Sequence, residues 1–176
     1  MKTIQVVFTK STKKLPVFSW LIQWAEHTDY SHVAIRMIDS ETQLPIYYQS
    51  SHTMVNCMGE EEFLAEEKIL NSFEFQIDDS LQVAFHAFAI KQLGKPYGVV
   101  STVGLGWVQL NKLFGRKTTN PFKQVGATYV CSQFVAALLE NANVPTLQQQ
   151  DLDDMIPAGL FPIIASLPST LIAKAA

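Results

Sequence analysis

The sequence predicts an α+β domain, and three observations carry that prediction. Short runs rich in β-branched and aromatic residues cluster in the first half, at Thr3–Thr9, His32–Ile38, Pro45–Ser50, Met54–Met58 and Ser72–Ile77. Helical periodicity is strongest in Tyr129–Asn141, where Phe134, Val135, Leu138 and Leu139 fall three and four apart. A chain of 176 residues with 48% apolar and 16% charged residues can bury a core without staples, which excludes a disordered chain. Residues 1–176 are read as one domain with an apolar C-terminal segment at 155–176.

The elements follow in order. Thr3–Thr9 is short and apolar enough for a buried strand. Pro16 suits a first helical turn, and Val17, Trp20, Leu21 and Trp24 continue at helical spacing to an expected stop near His27. His32–Ile38 and Pro45–Ser50 flank the polar turn Asp39–Leu44, which predicts a hairpin with a loop of about six residues. Met54–Met58 extends the sheet, and the charge-rich Glu60–Lys68 reads as a short helix or loop with a solvated face. Ser72–Ile77 is a further strand. Ser80 is placed to cap a helix over Leu81–Leu93, closed by Gly94 and Pro96.

Lys95–Val125 reads as Gly-rich and irregular, with one helix near Trp107–Phe114. The apolar Tyr97–Leu110 carries Gly98, Gly104 and Gly106, and Ile156–Ala173 is broken by Pro157, Pro162 and Pro168. Neither offers the roughly 20 uninterrupted apolar residues of a membrane span, so both are expected as buried or groove-lining segments.

Net charge is -3 and the pI about 5.8, which is no general nucleic-acid footprint. Lys112, Arg116, Lys117 and Lys123 form a local basic patch, either a solvated loop or a contact for an anionic substrate. No Cys/His cluster stands at ligand spacing, so neither metal nor cofactor is expected. Met1–Lys14 has only the short apolar run Ile4–Phe8, followed by Lys10, Lys13 and Lys14, a poor export signal, and a cytoplasmic location is expected. Cys57 and Cys131 are too few for a disulfide framework and are read as separate, reduced thiols.

Cys131 opens the strongest helix. The N–H groups and positive dipole end there favour thiolate over thiol and can hold an oxyanion beside the sulfur. A buried structural cysteine fits the same position. Cys57 lies in an extended stretch with no helix start behind it. A thiol nucleophile requires an imidazole, itself oriented by a third polar group. His27, His32, His52 and His86 all precede Cys131, so the order is histidine then cysteine. His32 is best placed as base, because Val33, Ile35 and Met37 fix one face of its strand. His27 ends a helix, His86 sits between Phe85 and Phe88, and His52 follows the hairpin as the fallback. Gln49, on the partner strand, offers a carbonyl oxygen that would set the His32 tautomer, as asparagine does in papain-like sites.

Three segments together resemble one family: Tyr30-Ser31-His32-Val33-Ala34-Ile35, Leu93-Gly94-Lys95-Pro96-Tyr97-Gly98 and Tyr129-Val130-Cys131-Ser132-Gln133-Phe134-Val135. The last two are similar to the Leu-Gly-x-Pro-Tyr and Asp-Cys-Ser-Gly-Phe-Val signatures of NlpC/p60 cysteine peptidases. The order of histidine before cysteine resembles the circularly permuted branch, with its YiiX-like and lecithin retinol acyltransferase-like members. The resemblance implies a papain-like fold, an antiparallel sheet packed against the helix of the catalytic cysteine. It implies a thiol hydrolase with Cys131 as nucleophile and His32 as base. The substrates implied are cell-wall peptides, as for an amidase acting on peptidoglycan, or lipid acyl groups, with acyl transfer in place of hydrolysis as a variant. Gln49 stands where the permuted branch often has a carboxylate or another polar residue, and Gln133 replaces a glycine or glutamate. The alternative from another class is a non-catalytic binding module that keeps the same shell.

Overall fold

The computed structural model describes residues 2–12, 28–39, 41–51, 53–122, 127–141 and 155–171. The expected helix over Pro16–His27 and the fallback base His52 lie outside these. The described elements are, in order, strands β1 (Lys2–Ser11), β2 (His32–Ile38), β3 (Pro45–Ser51) and β4 (Met54–Gly59), helix α1 (Glu60–Glu66), strand β5 (Glu67–Ile77), helices α2 (Asp79–Gln92), α3 (Val99–Leu113), α4 (Cys131–Asn141) and α5 (Pro157–Ser166), and strand β6 (Thr170–Leu171). The protein is α+β, built on one six-stranded sheet of order β4-β3-β2-β1-β5-β6. The sheet is mixed where a purely antiparallel one was expected, because β6 pairs with β5 in parallel.

Strand alternation divides the sheet into two faces. Ile4, Val6, Phe8, Val33, Ile35 and Met37 point into the main core, where α4 covers β2 and β3. Phe134, Val135, Ala136, Leu138 and Leu139 of α4 are fully buried there. Burial of each Leu, Val or Phe contributes about 1.5–3 kcal/mol, so α4 is fixed by packing far more than by helix propensity. The other face carries Val7, Ala34 and Tyr47 and is closed by Phe63 of α1, whose ring stacks on Tyr47 at 3.9 Å.

Three expectations are corrected. β5 begins at Glu67 rather than Ser72 and pairs with β1 along its whole length, with a register shift between Phe8 and Thr9. Asp78, not Ser80, caps α2: its carboxylate accepts the Leu81 N–H at 2.8 Å, and Ser80 lies inside the first turn. The stretch after Tyr97 is the helix α3, longer than the expected Trp107–Phe114 and not an irregular loop, and Gly104 within it serves close packing. A Cβ on Gly104 would lie 1.7 Å from Asn120 Oδ1, and one on Gly98 would press on Thr128 and Val130 at 3.2 and 3.3 Å. The apolar C-terminal segment forms α5 and β6. Pro157 occupies its tolerated place in the first turn, and Phe161 packs on Phe8, Tyr30 and Phe73 at 5.0–5.2 Å between ring centres.

Candidate active site

The β2–β3 ladder runs from Ile38–Pro45 to Ile35–Tyr48 and ends there. Beyond it the strands take other partners: His32 pairs with Thr9 of β1, and Gln49 to Ser51 pair with Asn56 to Met54 of β4. Across this open end His32 Nε2 lies 2.6 Å from Gln49 Oε1. An amide oxygen only accepts, so Nε2 carries the proton and Nδ1 keeps the basic lone pair. The Gln49 amide N–H is directed at Met58 Sδ, 3.3 Å away, which orients the amide with its oxygen to the ring. Both residues are buried, His32 at 8% and Gln49 at 2% exposure.

Cys131 is the first residue of α4 and is buried. The segment before it is anchored at the same end of the sheet: Ser50 Oγ donates to the Tyr129 carbonyl at 2.7 Å, and Gly98 N–H donates to that carbonyl at 3.0 Å. The first intrahelical bond runs from Phe134 N–H to the Val130 carbonyl, so the N–H groups of the first turn have no acceptor within the helix. Gln133 reaches back to accept the Val130 N–H at 3.1 Å, the return half of a capping box. Its amide N–H donates to Ser101 Oγ of α3, which also receives Asn120 Nδ2. Ser132 Oγ donates to the Met155 carbonyl at 2.7 Å. The helix start is thus held by β3, by α3 and by the segment leading into α5.

His32 and Gln49 extend from the pleat face of Thr9 and Ala34, whereas α4 lies on the face of Val33 and Ile35. Because the ladder has ended, no β2–β3 backbone bonds stand between the two sides at this point.

Tyr97 belongs to the same neighbourhood. Its phenol is pushed far above the usual tyrosine range, first by burial and then by charge at Cys131, against a hydrogen bond with Thr102. The phenol therefore stays protonated. The sequence offered Tyr97 only as part of a motif, and Gln133 only as a departure from one. Ser101 and Asn120 carried no signal at all, since their use depends on where α3 packs.

The other candidates lie elsewhere or outside the described residues, as do His27 and His52. His86 of α2 bonds through Nδ1 to the Tyr48 hydroxyl at 3.1 Å. Cys57 is exposed on β4, opposite Tyr48, and is not joined to Cys131. Among the described residues no cluster of His, Cys, Asp and Glu is placed to hold a metal, and no helix is long and apolar enough to cross a membrane. Compared with known proteins, the chain matches no family model and no curated sequence.

Proposed function

We propose that this protein is a thiol hydrolase that cleaves an amide or ester through a thioester at Cys131, with a cell-wall peptide or related acyl group as substrate. The observation that carries the reading is the buried 2.6 Å link from His32 Nε2 to Gln49 Oε1, set where the β2–β3 ladder ends. In this reading Nδ1 of His32 takes the thiol proton and later delivers it to the leaving group. Gln49 holds the tautomer. The Cys131 N–H and the Tyr97 hydroxyl receive the oxyanion. The resemblance to permuted NlpC/p60 proteins and to a papain-like fold is consistent with these roles but adds only short motifs to them.

Burial of Cys131 at 2% exposure favours a second reading, a non-catalytic module with a structural cysteine. Alkylation with iodoacetamide, resolved by pH and by peptide mass, separates the two. A thiolate paired with an imidazolium labels at about pH 5–6, where an ordinary thiol is protonated. The expected result is Cys131 labelling at about pH 5.5 that disappears in His32→Ala, while labelling of Cys57 does not depend on His32. Labelling of Cys57 alone at every pH would assign Cys131 to the core. In the hydrolase, Tyr97→Phe should lower kcat by about 100-fold with little change in KM, as loss of an oxyanion donor does.

A further inference from the structure

Helix α3 is apolar on its exposed side as well as its buried one. Leu105 and Val108 are buried at 3% exposure beside Ser101, Thr102 and Asn111 at 3–7%, while Val99, Val100, Val103, Trp107 and Leu110 are 44–54% exposed. At about 100° per residue these five fall within an arc of about 100° along one side of the helix. Phe114, 74% exposed, continues the stripe just past its end. The buried polar groups are all engaged: Ser101 Oγ by Asn120 and Gln133, Thr102 Oγ1 on the Gly98 carbonyl at 2.9 Å, Asn111 Nδ2 on the Trp107 carbonyl at 2.9 Å. Rotating the helix to bury its stripe would break the network that holds the start of α4. The exposed stripe is therefore fixed outward.

Its charge setting is as one-sided. From Ser80 to Leu139 there is no Asp or Glu, yet Lys91, Lys95, Lys112, Arg116, Lys117 and Lys123 fall here. A chain of net charge -3 thus carries +6 in this stretch and -9 in the rest. Arg116 and Lys117 are exposed directly after Phe114, where Gly115, at φ 70°, turns the chain out of the helix.

We propose that α3 docks on an anionic lipid surface, its stripe entering the boundary between headgroups and acyl chains while Arg116 and Lys117 meet the phosphates. The helix has 15 residues, too few to cross a bilayer, and so it lies in the plane of the interface. A second copy would also cover the stripe, but it would bring two stretches of the same sign into one interface. Docking does not require Cys131 to be a nucleophile, and the two readings fail separately.

The test is flotation of the full chain with vesicles of phosphatidylcholine alone or with about 30% phosphatidylglycerol, at low and high salt. Binding is expected to the anionic vesicles, with weakening at high salt and quenching of Trp107 by brominated acyl chains. Arg116→Gln with Lys117→Gln should weaken binding by about 30-fold, at about fivefold per charge. Trp107→Ser with Leu110→Ser should abolish flotation while the urea midpoint stays unchanged, and Cys131→Ala should float as the native chain does. Absence of flotation with anionic vesicles overturns the proposal, as does flotation that neither double variant weakens. A concentration-dependent dimer abolished by Trp107→Ser with Leu110→Ser would give the stripe to a second copy instead.

Discussion

Replacing Gly104 by alanine tests the packing on which the site rests. In an exposed helix interior Gly→Ala gains about 1 kcal/mol. In α3 the new Cβ would stand 1.7 Å from Asn120 Oδ1 and 2.6 Å from its Cγ, so the amide must leave its place. Asn120 is 3% exposed, and its amide donates to the Ser101 carbonyl at 3.0 Å and accepts the Phe122 N–H at 2.9 Å. Each buried polar group left without its partner costs about 1–3 kcal/mol, so two of them outweigh the propensity gain and leave a net loss of about 3 kcal/mol. At this size that lowers Tm by about 6–12 °C. Urea unfolding followed by circular dichroism reads the change as a lower midpoint at constant slope. The double variant Gly104→Ala with Asn120→Ala should lose less than the two singles added together, because both act on one contact. A Gly104→Ala protein as stable as the native one, or more stable, would refute the packing and with it the placement of α3.

Two further outcomes follow. Gln49→Ala should leave a buried imidazole N–H without its acceptor, lowering stability by about 1–3 kcal/mol, and should reduce turnover of an acyl ester far less than Cys131→Ala, which removes the nucleophile; equal and complete loss in two folded variants would contradict the division of roles. His86 is held below the usual histidine range, first by burial and against the charge of Asp39, so the unfolded chain binds its proton at a higher pH than the native one. Its contribution is therefore present above about pH 6.5 and is lost as pH falls through the lowered native value; denaturant midpoints of His86→Gln should decline less than the native protein's over that acid window.

The parts of this fold legible in the sequence are those whose cause is local. Short apolar runs and alternation gave β1, β2, β3 and β4, and the spacing of Phe134, Val135, Leu138 and Leu139 gave α4, because local pattern and burial coincide there. α3 was misread for a physical reason. Glycine is both a helix breaker and the residue that lets two segments approach, and only the position of Asn120 tells which role Gly104 has. The apolar bulk of Val99–Leu110 also pointed to a buried segment, which holds for Leu105 and Val108, whereas Val99, Val100, Val103, Trp107 and Leu110 face outward. At the site, His32 and Gln49 were legible because a hairpin sets neighbours across a short loop. Tyr97, Ser101 and Asn120 were not, since they reach α4 from segments whose packing no local pattern encodes.

The amide at position 49 is better understood from its surroundings than as a weakened carboxylate. Gln49 is 2% exposed, flanked by the Met58 thioether and facing a neutral ring nitrogen. A carboxylate there would be a buried charge whose counter-ion exists only once His32 is protonated, and an uncompensated buried charge costs several kcal/mol. The amide accepts the same N–H without that cost and donates to sulfur with its other end. It fixes the tautomer and leaves the lone pair on Nδ1. A site built this way relies on the helix start for charge stabilisation, which is where the structure concentrates its bonds, from Ser50, Ser132 and Gln133.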